Sequence, residues 1–139
     1  MFAMILTKAP CKMSLNELAA VVIEVSFQIH KKWGPGLLER VYEVLLVFHL
    51  RKLGFNVAEQ KPIPFEEEGV RLDLGFRADV IVEGKLLVEL KSVEAIAPVF
   101  PKTVLTYLRV LNLNLGLLIN FGEAYLKDGI KRVVNGMKE

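Results

Sequence analysis

With 139 residues, 53 % of them hydrophobic, the chain holds enough apolar material for one ordinary core. Its formal net charge of +2 leaves any nucleic-acid binding to local basic faces rather than to the whole molecule. No apolar run reaches the roughly 18 residues that span a bilayer, the single Cys11 makes no intramolecular disulfide and no Cys/His pattern suggests zinc, so the expectation is one soluble, cytoplasmic domain.

Residues 1–6 (Met-Phe-Ala-Met-Ile-Leu) are apolar but short, without a basic leader or a cleavage site, and read as an extra strand, an arm or an upstream start. Ser14-Leu-Asn-Glu17 is a capping-box pattern that opens a helix to about Lys32, with Leu15, Leu18, Val22, Val25 and Ile29 as its apolar stripe. Gly34-Pro-Gly36 breaks it. Proline suits a first helical position and Gly34 a cap, so a second helix is predicted from there to Leu53, ended by Gly54. On that helix Gly36, Glu39 and Tyr42 recur every third residue along one side. The glycine would leave the Glu39 carboxylate open, and the Tyr42 hydroxyl would hydrogen-bond whatever Glu39 binds. Glu39 also fits a plain surface acid favoured by the helix dipole. His30 and His49 read as packing or surface residues. Residues 55–65 form a strand interrupted by Pro62 and Pro64, hence at a sheet edge, and Glu66-Glu-Glu-Gly69 is a solvated acidic turn.

Strands follow at 70–82 and 85–91. Alternation puts Leu86, Val88 and Leu90 on one face of the second, with Leu87, Glu89 and Lys91 on the other; Arg77, Asp79 and Ile81 share a face of the first. Register then decides whether a site exists. A two-residue turn at Glu83-Gly84 places Asp79 and Glu89 on opposite faces, whereas a three-residue loop with a left-handed glycine pairs them directly. Two converging carboxylates repel each other and suit magnesium or manganese, and Lys91 beside them can orient an attacking water or offset charge on a phosphoryl oxygen. The same spacing also describes acids on the wet face of an amphipathic hairpin. A helix over 101–111 and a buried strand over 115–120 complete a strand, helix, strand crossover, which favours a parallel pairing and a mixed sheet. From Gly122 the chain reads as a last strand and a short helix or turn.

Gly36-Leu-Leu-Glu39-Arg-Val-Tyr42, then Gly75-Phe-Arg-Ala-Asp79, Val88-Glu89-Leu-Lys91 and Leu115-Gly-Leu-Leu-Ile-Asn-Phe-Gly122, in that order, resemble the GxxExxY family, a branch of the PD-(D/E)xK nuclease superfamily. The likeness runs from about Ile23 to Asn135. It implies an α/β (α+β), restriction-endonuclease-like core with a central mixed sheet of four to five strands flanked by helices, in residues 14–139, preceded by an N-terminal arm or extra strand at 1–13. It further implies that Asp79, Glu89 and Glu39 bind Mg2+ or Mn2+, that Lys91 positions or activates the attacking water, and that Arg77, Tyr42 and Tyr107 support the site. Nucleic acid is the implied partner, with weaker contacts from Lys102, Arg109, Lys131 and Arg132; a membrane is not, and a homodimer is left open.

One departure stands out. Members of the family typically carry a histidine and, three positions later, a glutamine ahead of the threonine-tyrosine-leucine run, where this chain has Phe100 and Thr103 before Thr106-Tyr107-Leu108. Two functions follow: a metal-dependent phosphodiesterase acting on DNA or RNA, or a non-catalytic descendant that binds nucleic acid or protein. Retention of Glu39, Asp79, Glu89 and Lys91 favours the first, because clustered carboxylates near a polyanion need a cation to cancel their repulsion.

Overall fold

A computed structural model describes residues 7–72 and 75–136; the apolar segment at 1–6 lies outside them. Helix α1 (Leu15–Trp33) opens on the expected capping box, with Glu17 N–H donating to Ser14 Oγ at 3.1 Å and Ser14 N–H to Glu17 Oε1 at 3.0 Å. Leu18, Val22, Val25 and Ile29 are buried, and Met13 just ahead joins them in the core. A 3-10 turn at Pro10–Lys12 precedes the helix, so no strand forms in the described part of the arm.

Helix α2 (Glu39–Lys52) starts later than the proline suggested. Gly34, at φ 73, is the left-handed residue that ends α1, its N–H donating to His30 O at 2.8 Å, and residues 34–38 form a loop. Side chains hold that loop and outcompete helix formation. The Tyr42 hydroxyl donates to Gly34 O and accepts from Leu37 N–H at 3.1 Å, while Ser92 Oγ donates to Leu37 O at 2.6 Å. Gly36 is therefore off the helix and shares no helical face with Glu39 and Tyr42.

The predicted strand at 70–82 is two strands. Phe65–Glu67 (β2) and Val70–Leu72 (β3) close a small hairpin over Glu68 and Gly69, both at positive φ, while Val57–Pro62 (β1) and Arg77–Val82 (β4) belong to the main sheet. That sheet continues through Leu86–Lys91 (β5), Leu115–Asn120 (β6) and Ile130–Val134 (β7) in the order β1-β4-β5-β6-β7, with β5 and β6 parallel and the other neighbours antiparallel. β1 takes the predicted edge. Helix α3 (Val99–Leu111) makes the β5-to-β6 crossover, and a 3-10 turn at Leu126–Gly129 precedes β7. The fold is the mixed, helix-flanked sheet that the sequence predicted. Val80, Val82, Leu86, Val88, Leu90, Leu117 and Ile119 pack against α1 and α2. Ile81, Leu87 and Leu118 pack on the other face against Val104, Tyr107 and Leu108 of α3. No helix of the described residues is long and apolar enough to cross a membrane.

Candidate active site

Strands β4 and β5 pair Val80 with Val88, Ile81 with Leu87 and Val82 with Leu86. Glu83, Gly84 and Lys85 are thus a three-residue loop, with Glu83 at φ 54, Gly84 at φ 65 and Lys85 N–H donating to Val82 O at 3.0 Å. This register brings Asp79 abreast of Glu89. There side chains take over from the backbone ladder: Asp79 N–H donates to Glu89 Oε1 at 2.9 Å, and Leu90 N–H donates to Asp79 Oδ2 at 2.9 Å. Each carboxyl satisfies a backbone N–H of the opposite strand, which holds the two acids together. Burial, followed by the charge of Asp79, pushes the Glu89 carboxyl up to about 8, and contact between the two carboxyls acts in the same direction. Glu39 is raised as well, by burial and then by Asp79, with Lys91 opposing.

Lys91 ends β5 with Nζ 4.3 Å from the centre of the Phe100 ring, in a cleft shared with Glu89, Thr103 and Tyr107. The exit of β5 is fixed from β6. Asn120 pairs with Lys91 in the parallel ladder; its Oδ1 accepts Val93 N–H and Gly122 N–H at 3.0 Å each, and its Nδ2 donates to Val93 O at 2.9 Å. Gly122 is required by proximity, since a Cβ there would lie 2.2 Å from Val93 O. The Asn-Phe-Gly segment thereby places Lys91 relative to the acids.

Compared with known protein families, residues 16–133 match the PD-(D/E)XK nuclease superfamily. The chain belongs to that superfamily. No curated protein and no solved structure matches it.

Nucleases of the PD-(D/E)XK superfamily typically use divalent metals, so the donor set here can be tested for fit. Asp79 and Glu89 provide adjacent carboxyls, and burial and then the charge of Asp79 disfavour the ionised form of Glu89, a penalty that a hard cation would relieve. Glu39 does not complete a cage, because among the described residues no three His, Cys, Asp or Glu side chains are grouped closely enough to hold an ion. The two-carboxylate set fits magnesium or manganese, ions that retain several waters.

The supporting residues divide. Tyr107 lies beside the acids, its hydroxyl pushed up by burial and then by Glu89 and Asp79. Tyr42 is fully buried and stacked on Phe121 at 4.4 Å, and its hydroxyl holds the 34–38 loop instead of reaching for a ligand of Glu39. Arg77 is exposed at the start of β4. The four basic residues do not form one surface. Lys102 and Arg109 are exposed on α3, and Lys131, opposite Leu118, faces the same side. Arg132, opposite Leu117, faces α1 and donates to Asn16 Oδ1 at 2.9 Å.

Sequence reasoning missed Glu43 and Gln60. Glu43 is 2 % exposed, paired with Arg40, and accepts from Gln60 Nε2 at 2.7 Å. Together with Glu39, Arg40 and Asp79 they line a cleft of about 490 Å³. Glu43 had a signal, since it stands at helical spacing with the buried Leu46, Val47 and Leu50. Gln60, a polar residue on an edge strand, had none.

Proposed function

We propose that the protein is a divalent-cation-dependent nuclease that hydrolyses phosphodiester bonds in nucleic acid. The observation that carries this reading is the mutual backbone capture of Asp79 and Glu89, which keeps two carboxyls in contact although burial and repulsion drive one of them to hold a proton. In this reading Asp79 and Glu89 hold Mg2+ or Mn2+, and Glu39 is the acid that lines the neighbouring cleft with Asp79. A bound cation would supply the charge that ionises Glu89 and stabilises the phosphoryl oxygens. Lys91 orients the attacking water and offsets charge on the phosphoryl oxygen, and Tyr107 walls the cleft beside it. Lys102, Arg109 and Lys131 meet phosphates along the α3 face. The segment from Gly36 to Tyr42 supports a finer placement in the GxxExxY branch, with residues 14–139 as the working domain in a cytoplasmic protein.

A second reading, a non-catalytic nucleic-acid- or protein-binding descendant, draws on position 103. Thr103 faces the cleft, yet its hydroxyl donates to Val99 O at 3.1 Å within its own helix, so its one donor is not offered to a phosphate. Cleavage of labelled DNA and RNA in Mg2+ and in Mn2+ separates the two. The absence of one positioning group commonly costs about 2.7–4 kcal/mol, roughly a hundred- to thousandfold in rate, so weak cleavage is expected, abolished in Lys91→Ala and increased in Thr103→Gln. Nucleic-acid binding without turnover in either cation, unaltered by Thr103→Gln, decides for the descendant.

A further inference from the structure

Edge strand β1 contains one residue whose backbone departs from the strand. Gln60 has φ 48, although the ladder to β4 is regular on both sides of it, Glu59 pairing with Val80 and Lys61 with Ala78. It stands opposite Asp79. A left-handed conformation is unfavourable for a residue with a side chain and persists only where its surroundings hold it. Here the amide supplies the hold: Nε2 lies 2.7 Å from Glu43 Oε1 and, in a longer contact, 3.4 Å from Asp79 Oδ1. Glu43 is itself fixed, buried in α2 and paired with Arg40. An amide NH2 has two hydrogens and no charge, so it can donate to two acids at once without adding repulsion.

We propose that Gln60, anchored on the buried Glu43–Arg40 pair, is a positioning residue that sets the Asp79 carboxylate against Glu89. Leu90 N–H already holds Asp79 Oδ2. The Gln60 contact on Oδ1 restrains the other oxygen, while the same amide stays anchored on Glu43 of α2. A chain of side chains from α2 through β1 to β4 thus sets the rotamer of one of the two acids. The inference relies on the nuclease reading only for what Asp79 does, not for how Asp79 is held.

Amide hydrogen exchange without any metal reads that hold directly, because a looser Asp79 releases Leu90 N–H. Gln60→Gly accepts the left-handed backbone and removes the amide; Gln60→Glu keeps the length and removes the donor. In both variants Leu90 should exchange roughly three- to tenfold faster, the factor set by one net hydrogen bond, while Val88 exchanges as before. Mn2+ affinity by calorimetry should fall by a similar factor. Unchanged Leu90 exchange in both variants overturns the proposal and leaves Gln60 as a partner of Glu43 alone. Should the unaltered protein take up no Mn2+, the nuclease reading fails, while Leu90 exchange still decides the role of Gln60.

Discussion

Burial, and after it the charge of Asp79, raises the Glu89 carboxyl, and the pH dependence of stability follows from that. Glu89 ionises near 8 in the folded protein against an ordinary 4.5. Between those values the unfolded chain has released a proton that the folded chain still binds, so stability falls as pH rises through this window. The melting temperature of the cation-free protein should drop from about pH 5 to pH 8 and flatten in Glu89→Gln. Asp79 requires two variants to be understood. Removing its charge relieves Glu89, but removing the whole side chain also leaves the Leu90 N–H without its acceptor, a loss of about 1–3 kcal/mol where the group is buried. Asp79→Asn should therefore melt as high as the unaltered protein or higher without metal, whereas Asp79→Ala should melt lower. Both should lose Mn2+ binding in calorimetry. Asp79→Asn melting well below Asp79→Ala would mean that the acid acts as a structural ion and not as half of a repelling pair.

At the scale of elements, the site depends on three junctions that hold strand and helix ends in place. The β4–β5 loop sets the register that joins the acids, the 34–38 loop hung on Tyr42 and Ser92 sets where α2 and Glu39 begin, and the Asn120–Val93–Gly122 knot sets where β5 stops. The last has the least room. Gly122→Ala puts a methyl into the Val93 carbonyl and should destabilise by about 1–3 kcal/mol, the usual penalty for overpacking, read as a lower denaturant midpoint. A midpoint unchanged from the parent would show that the 92–98 segment yields easily and does not hold Lys91. Lys91, resting on the Phe100 ring, depends on the same segment, because Phe100 lies just beyond it at the start of α3.

For the molecule as a whole, a net charge of +2 predicts modest attraction to a polyanion. Distribution matters more than the total. Lys102, Arg109 and Lys131 share the α3 side of the sheet, while Arg132 looks toward α1. If three residues meet phosphates, the logarithm of affinity should fall with the logarithm of salt at a slope of about −2 to −3, near 0.9 for each contact on a duplex. Lys131→Ala should reduce that slope by about one and Arg132→Ala should leave it alone, measured by fluorescence anisotropy across a salt series. A slope lowered by Arg132→Ala would move the binding face to the α1 side.

What the sequence determined by itself is what short-range chemistry determines. The capping box at Ser14 to Glu17, the apolar stripe of α1, the alternation in β5 and the continuous apolar run of β6 each act within a turn or a strand, and each element formed where its pattern predicted. The order of the motifs was enough to indicate the superfamily. Register was another matter: the Glu83-Gly84 segment allowed two loops, and only the packing of Val80 and Val82 on one face with Ile81 and Leu87 on the other selected the one that joins Asp79 to Glu89. The late start of α2 was hidden for the same reason, since Tyr42 and Ser92 reach the 34–38 loop from outside it and overrule the local preference of Pro35 for a helix. Glu43, Gln60 and Asp79 meet across three elements. Nothing in the local sequence encodes that meeting, because hydrogen bonds between side chains far apart in the chain exist only once the sheet and helices have closed around them.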